Sequence, residues 1–359
     1  MSCYVGTHTT RGPRRAHRFR GRVKAEVARF LKSSDAAAHP GAVEDVQARP
    51  VEITGTWDFK WPLGTELRIA FQKLPASMGV SPGDFKQAKR LVKALAGRWQ
   101  LPESSGIRLR FLEDDLEPPL GIEHSFTDQH RSPFTPETPE RIPYDVLISL
   151  QDLPVLRADP FRGAGAEVEE VVFPVSELGS YARRADYGAP TAYLGRFGAF
   201  KRGLSLLEYL NHPVGEHVVV HELGHMLGLP HLHQHPELVD PEKRVQFYKP
   251  EHAVMEIMEK QLGVEVTKTV VHGHLIDAWP GSPDYSDWVE LSDDDIAAHR
   301  RDGTLESVMT MPNYACMLRD SEAPCPDSGE LPEDRIVRTP GRLDKAMLQR
   351  MYERARPDR

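Results

Sequence analysis

Residues 221–231 read His-Glu-Leu-Gly-His-Met-Leu-Gly-Leu-Pro-His. His221 and His225 stand four positions apart, a spacing that puts both imidazoles on one face of a helix, one turn above the other. Glu222 lies beside the first of them. Gly228 can adopt the left-handed backbone that ends a helix, and the turn it permits brings His231 back as a third nitrogen donor. Three neutral imidazoles around an open fourth position form the ligand set of a catalytic Zn2+, and an adjacent carboxylate is placed to take a proton from water. A purely structural zinc needs no such carboxylate and usually closes its fourth position with another protein ligand. The bland alternative is a helix whose histidines are surface polar groups. Against it, the pattern fixes three His, one Glu and one Gly across eleven positions, which is far more specific than the bare HExxH string.

Rigid elements must hold such a site. The helix carrying His221 and His225 is predicted to begin near Pro213, a favourable first-turn residue, and to run through Val218, Val219 and Val220 to Leu227. Three β-branched residues in a row are poor helix formers, so packing against a sheet has to keep this helix in place. Leu67, Ile69 and Phe71 alternate, as do Ile107, Leu109 and Phe111, predicting strands over 66–72 and 107–112 with one face on the core. Val146-Leu147-Ile148 is an apolar run suited to a central strand within 144–150, and a further strand is expected over 192–194. The periodic series Phe85, Ala88, Leu91, Val92, Leu95, Ala96, Trp99 predicts a helix over 84–99, with Asp84 read as its N-cap. Helices are also expected over 250–262 and 292–299, the second capped by Ser292 with Asp295 at the capping-box position. This order predicts an α+β fold, a mixed twisted sheet packed on two helices.

The chain of 359 residues carries 40% hydrophobic and 27% charged residues, ordinary for a globular protein with a substantial core. Its apolar runs are too short for a bilayer span, and the N-terminus lacks the apolar stretch of a secretory signal. These features make the cytoplasm the default compartment. Charge is sharply divided: residues 1–24 hold Arg11, Arg14, Arg15, Arg18, Arg20, Arg22 and Lys24 without an acid, so within a net charge of −8 the remainder carries −15. Residues 1–50 are therefore read as a basic, solvated arm with at most a short helix over 23–31. A pro- or targeting segment and a nucleic-acid arm are the alternatives, and the last lacks an aromatic ladder or a known binding module. The three cysteines form no disulfide framework, although Cys316 and Cys325 could bridge in an oxidising compartment, leaving Cys3 over. His233 and His235 extend the His-rich turn; hydrogen bonding or solvation is favoured over a second metal site. No calcium-loop pattern accompanies the 53 acidic residues.

The pattern HExxHxxGxxH resembles the metzincin clan of zinc endopeptidases, whose second mark is a methionine turn downstream of the metal helix. Ser307-Val308-Met309-Thr310-Met311-Pro312 is similar to the Ser-x-Met-x-Tyr-Pro turn of the astacin-like branch, and the tail from Gly341 to Tyr352 resembles that branch's closing helix. Trp61-Pro62 followed by Leu67–Phe71 resembles its first sheet strand. The likeness spans about 57–352, with only the metal helix specific. It implies a catalytic domain over 51–359, divided into an N-terminal subdomain (51–228) and a C-terminal one (229–359) that carries the Met-turn and final helix. It also implies one catalytic Zn2+ on His221, His225 and His231, Glu222 as general base, Met309 as a structural residue beneath the ligands, and a protein or peptide substrate. In the clan an edge strand corresponding to 192–194 pairs with the substrate backbone, and family analogy points to secretion. Two positions depart from the branch. Leu232 stands where it has Glu, and Met311 stands where it has a zinc-binding Tyr. Tyr314, three residues further on, is the candidate replacement as oxyanion donor. The departures keep open a second reading, a zinc-binding pseudo-protease that acts as a binding protein.

Overall fold

Alternation along the first strand places Leu67, Ile69 and Phe71 on one face, each essentially inaccessible to solvent. The computed structural model describes residues 60–113, 115, 144–153, 155–158, 168–171, 175–176, 179, 191–197, 203–239, 248–262, 288–302, 307–310, 315–321 and 336–353. The basic arm over 1–50, Cys3, Met311, Tyr314 and Cys325 lie outside these residues.

Strands β1 (Glu66–Phe71), β2 (Arg108–Phe111), β3 (Val146–Ser149), β6 (Val175–Ser176) and β7 (Ala192–Tyr193) form one sheet in the order β2-β1-β3-β7-β6. The pairs β1–β2, β1–β3 and β3–β7 are parallel, and β6–β7 is antiparallel, so the sheet is mixed. A separate antiparallel pair joins β4 (Val155–Ala158) to β5 (Val168–Val171). The central position of β3 explains its unbroken apolar run, because both of its faces are covered. Val146 and Ile148 enter the main core, while Leu147 joins Ala70 and Tyr144 on the opposite face. The segment 192–194 is not an edge. β6, which the sequence pattern did not reveal, pairs along β7 and is the outer strand among the described residues.

Helix α1 (Pro82–Ala96) buries Phe85, Ala88, Val92, Leu95 and Ala96 on its periodic face. Its N-cap is Ser81 rather than Asp84. The Ser81 hydroxyl accepts from the Asp84 backbone N–H (3.0 Å) and donates to the Asp84 carboxylate (2.8 Å), with Pro82 opening the helix. Asp84 thus sits at the third helical position, where its charge favours the helix N-terminus. A short helix α2 (Leu206–Asn211) precedes the metal-motif helix and is fixed by a full capping box between Ser205 and Glu208. Helix α3 (Pro213–Met226) then packs against both α1 and α2. Helices α4 (Pro236–Val239), α5 (Glu251–Leu262) and α6 (Asp293–Asp302) follow. Ser292 and Asp295 form the capping contacts at the start of α6. The final helix α7 (Arg342–Glu353) buries Leu343, Met347, Leu348, Met351 and Tyr352 against the same core.

Candidate metal centre

Helix α3 is buried without a break from His217 to Met226, which is how three consecutive valines come to be helical. Distant groups hydrogen-bond to carbonyls along its second half. Trp99 Nε1 donates to Val220 O (2.9 Å), Trp61 Nε1 to Met226 O (2.7 Å) and the Tyr352 hydroxyl to Leu227 O (2.8 Å). The last two bonds occupy carbonyls that a helix C-terminus leaves without intrahelical partners. Gly228 adopts φ 95° and redirects the chain, so that His231 returns to the helix face.

The Nε2 atoms of His221, His225 and His231 converge, with separations of 3.0 Å (His221–His225), 3.2 Å (His225–His231) and 3.3 Å (His221–His231). Hydrogen bonds on the opposite ring edges assign the tautomers of the two helical histidines. His221 Nδ1–H donates to the Val308 carbonyl (2.7 Å) and His225 Nδ1–H to the Leu229 carbonyl (2.8 Å). A neutral ring whose Nδ1 carries the proton offers Nε2 as a lone pair. Burial favours the neutral form: it pushes His225 down to about 4 and His221 well below its ordinary value, the latter assisted by its histidine neighbours. Lone pairs that face one another repel unless a cation lies between them. Nitrogens sharing one tetrahedral ion at ~2.0–2.1 Å stand ~3.3 Å apart, close to the separations here. Among the described residues this is the one cluster of three or more metal-capable side chains, and it can hold a metal ion.

Glu222 is fully buried beside this cluster. The Ser176 hydroxyl on β6 lies 2.9 Å from its carboxylate Oε2 and equally far from its backbone carbonyl. Sequence reasoning missed Ser176, because nothing local to a two-residue strand signals a contact 46 positions away. Met309 packs against the helix at Gly224: a Cβ there would come within 2.3 Å of the Met309 sulfur and 2.7 Å of the Trp99 ring. The Met309 carbonyl accepts from the Leu232 N–H (3.1 Å), which ties the turn to the segment following His231. Leu232 itself is buried.

Three further buried histidines lie on or near these elements, His217, His233 and His235. His233 stacks on His231, with ring centroids 4.9 Å apart, and His235 Nε2–H donates to the Val289 carbonyl (2.7 Å). Both are buried, so solvation is not their role. His217, one turn before His221, donates from Nδ1 to Val337 O (2.6 Å), and burial pushes it down to about 4. Its position four residues before His221 was the available signal for it. No helix among the described residues is long and apolar enough to cross a membrane.

No protein-family profile matches the sequence, and no curated protein matches it. Two solved structures of myroilysin are similar at 15% sequence identity. One superposition covers 84% of this chain and 99% of that chain with a TM-score of 0.43. The other covers 82% and 86% with a TM-score of 0.38. Both likenesses are loose.

Proposed function

We propose that the protein is a zinc-dependent endopeptidase, a divergent metzincin of astacin-like type. One observation carries the reading: three buried imidazole Nε2 atoms meet at 3.0–3.3 Å beside the buried Glu222 carboxylate. His221, His225 and His231 would hold the ion through Nε2. A zinc ion bound there supplies Lewis acidity, which polarises a carbonyl and lowers the pKa of water towards neutrality. Glu222 accepts the proton of the attacking water and passes it to the departing amine. The Ser176 hydroxyl, 2.9 Å from Oε2, restricts the orientation of that carboxylate. Met309 fills the space beneath the ligands at Gly224. Tyr314 is the proposed second donor to the oxyanion in place of the Tyr that Met311 replaces. The catalytic domain spans 51–359, with subdomains 51–228 and 229–359, and the substrate is a protein or peptide chain.

Glu222→Gln keeps the zinc content near one per chain and removes most chelator-sensitive cleavage of a denatured protein, because an amide cannot take the water proton. Turnover within a few-fold of wild type would exclude Glu222 as the base. A zinc-loaded wild type without cleavage would favour the binding-protein reading. Tyr314→Phe in the same assay lowers turnover on the order of 100-fold if its hydroxyl serves the oxyanion; an unchanged rate removes it from the mechanism.

A further inference from the structure

Val308, whose carbonyl receives the Nδ1–H of His221, lies in a short turn far from α3 in sequence. A carbonyl in a loop can orient a ligand only as well as the loop itself is held. The hold comes from one carboxylate. Asp344, on the first turn of α7 and 1% exposed, accepts the Ser307 hydroxyl on Oδ1, and on Oδ2 the Val308 N–H (2.8 Å) and the Gly341 N–H (2.8 Å). The Ser307 oxygen in turn accepts the Met309 N–H (2.9 Å), and the Thr310 hydroxyl donates to the Ser307 carbonyl (2.7 Å). The tip of the turn is thus fixed, directly or through Ser307, by a side chain of the last helix.

We propose that Asp344 is a positioning residue for the metal centre, fixing the 307–309 turn so that the Val308 carbonyl holds His221 with Nε2 directed at the ion. The inference rests on the metal-site reading above and adds a dependence of that site on the C-terminal helix. Burying a carboxylate is costly, and here burial pushes Asp344 up to about 6 against the opposing pull of its hydrogen bonds. An apolar residue at this helix position would fill the core without that cost, but it would leave the Val308 N–H and the Ser307 hydroxyl without this acceptor.

The test compares wild type, Asp344→Asn and Ser307→Ala in the full chain. Asn keeps the size of Asp but replaces one of the two accepting oxygens by an NH2; with its oxygen on the Val308 and Gly341 N–H groups, the NH2 faces Ser307, whose hydroxyl then loses its acceptor. In the metal-free proteins, imidazole nitrogen shifts measured by NMR report the His221 tautomer. In the cobalt-loaded proteins, the visible d–d spectrum reports ligand geometry, and transfer to a chelator gives the dissociation rate. The expectation for Asp344→Asn is a His221 ring that no longer holds the Nδ1–H form alone, an altered cobalt spectrum and dissociation about 10- to 100-fold faster, the usual range for loss of a ligand's supporting hydrogen bonds. Ser307→Ala, which removes the two bonds of the hydroxyl but keeps the carboxylate with its two N–H donors, changes the same quantities in the same direction by a smaller factor. If Asp344→Asn does not fold, Ser307→Ala decides alone. Wild-type tautomer, spectrum and dissociation rate in whichever of these variants folds would overturn the proposal. A wild type that takes up no cobalt would instead defeat the metal-site reading, and the tautomer measurement would still decide the role of Asp344.

Discussion

At the scale of single residues, the site is crowded to the point where one carbon matters. Gly224 lies on α3 between the two helical histidines, and its missing Cβ is the space occupied by the Met309 sulfur and the Trp99 ring. Gly224→Ala is expected to lower stability by about 1–3 kcal/mol, the usual cost of overpacking a core, despite the better helix propensity of alanine. Chemical denaturation measures this. Met309→Ala alone opens a cavity, but combined with Gly224→Ala it removes the sulfur from the clash and leaves only the Trp99 contact, so the double variant should be more stable than the sum of the two single losses predicts. Additive losses would show that the two residues do not share that space in solution.

At the scale of elements, α3 depends on groups brought from far before and far after it in the chain. Trp61 and Tyr352 satisfy the carbonyls of Met226 and Leu227, at the turn that leads to His231. Tyr352→Phe removes one hydroxyl and leaves Leu227 O buried without that donor, so a loss of about 1–3 kcal/mol is expected. A loss below the error of a denaturant titration would mean that water takes the place of the hydroxyl. The contact between α7 and the 307–309 turn has a pH signature. The folded state raises Asp344 from 3.8 to about 6, so it binds this proton more tightly than the unfolded chain does. The contribution of the group to stability is then fully present below about pH 4 and declines as pH rises through about 6. Measured on metal-free protein, the Tm of wild type relative to Asp344→Asn should fall over that window; a difference that rises or stays flat would contradict the assignment.

At the scale of the whole molecule, a sheet of mixed direction, a group of packed helices and the final helix share one apolar core from Trp61 to Tyr352. The composition of the basic arm lacks the periodicity of core elements. Deletion of residues 1–50 is therefore expected to leave both the cooperative melting transition and the rise in Tm on adding zinc. Zinc that binds the folded chain alone stabilises by mass action, by about 2.7 kcal/mol at a hundredfold excess over Kd. Loss of the transition on truncation would make the arm part of the domain. An unchanged Tm with zinc, in either form, would count against the metal site.

Much of this molecule could be read without coordinates, and what could be read has a common physical basis. The three histidines, Glu222 and Gly228 fall within one stretch of helix and the bend after it, so local geometry brings them together and spacing reveals them. The alternation at 67–71 and 107–111, the apolar run at 146–148 and the periodic face of α1 were legible for the same reason, since period-2 and period-3.6 patterns are properties of the chain itself. The cap of α1 lies three positions before the one the sequence suggests, because Asp84 is as good a capping residue as Ser81 until Pro82 is recognised as the first helical residue. The folded chain decided everything that depends on contact across long separations. It made β7 an inner strand by laying β6 along it, and it set the Ser176 hydroxyl against Glu222. It closed the end of α3 with Trp61 and Tyr352 and placed Asp344 under the turn that orients His221. A sequence displays which residues can ligate, accept a proton or turn the chain, because those are properties of the residues and their neighbours. Which distant donor meets which buried acceptor is set by how the elements pack, and only the tertiary structure carries that information.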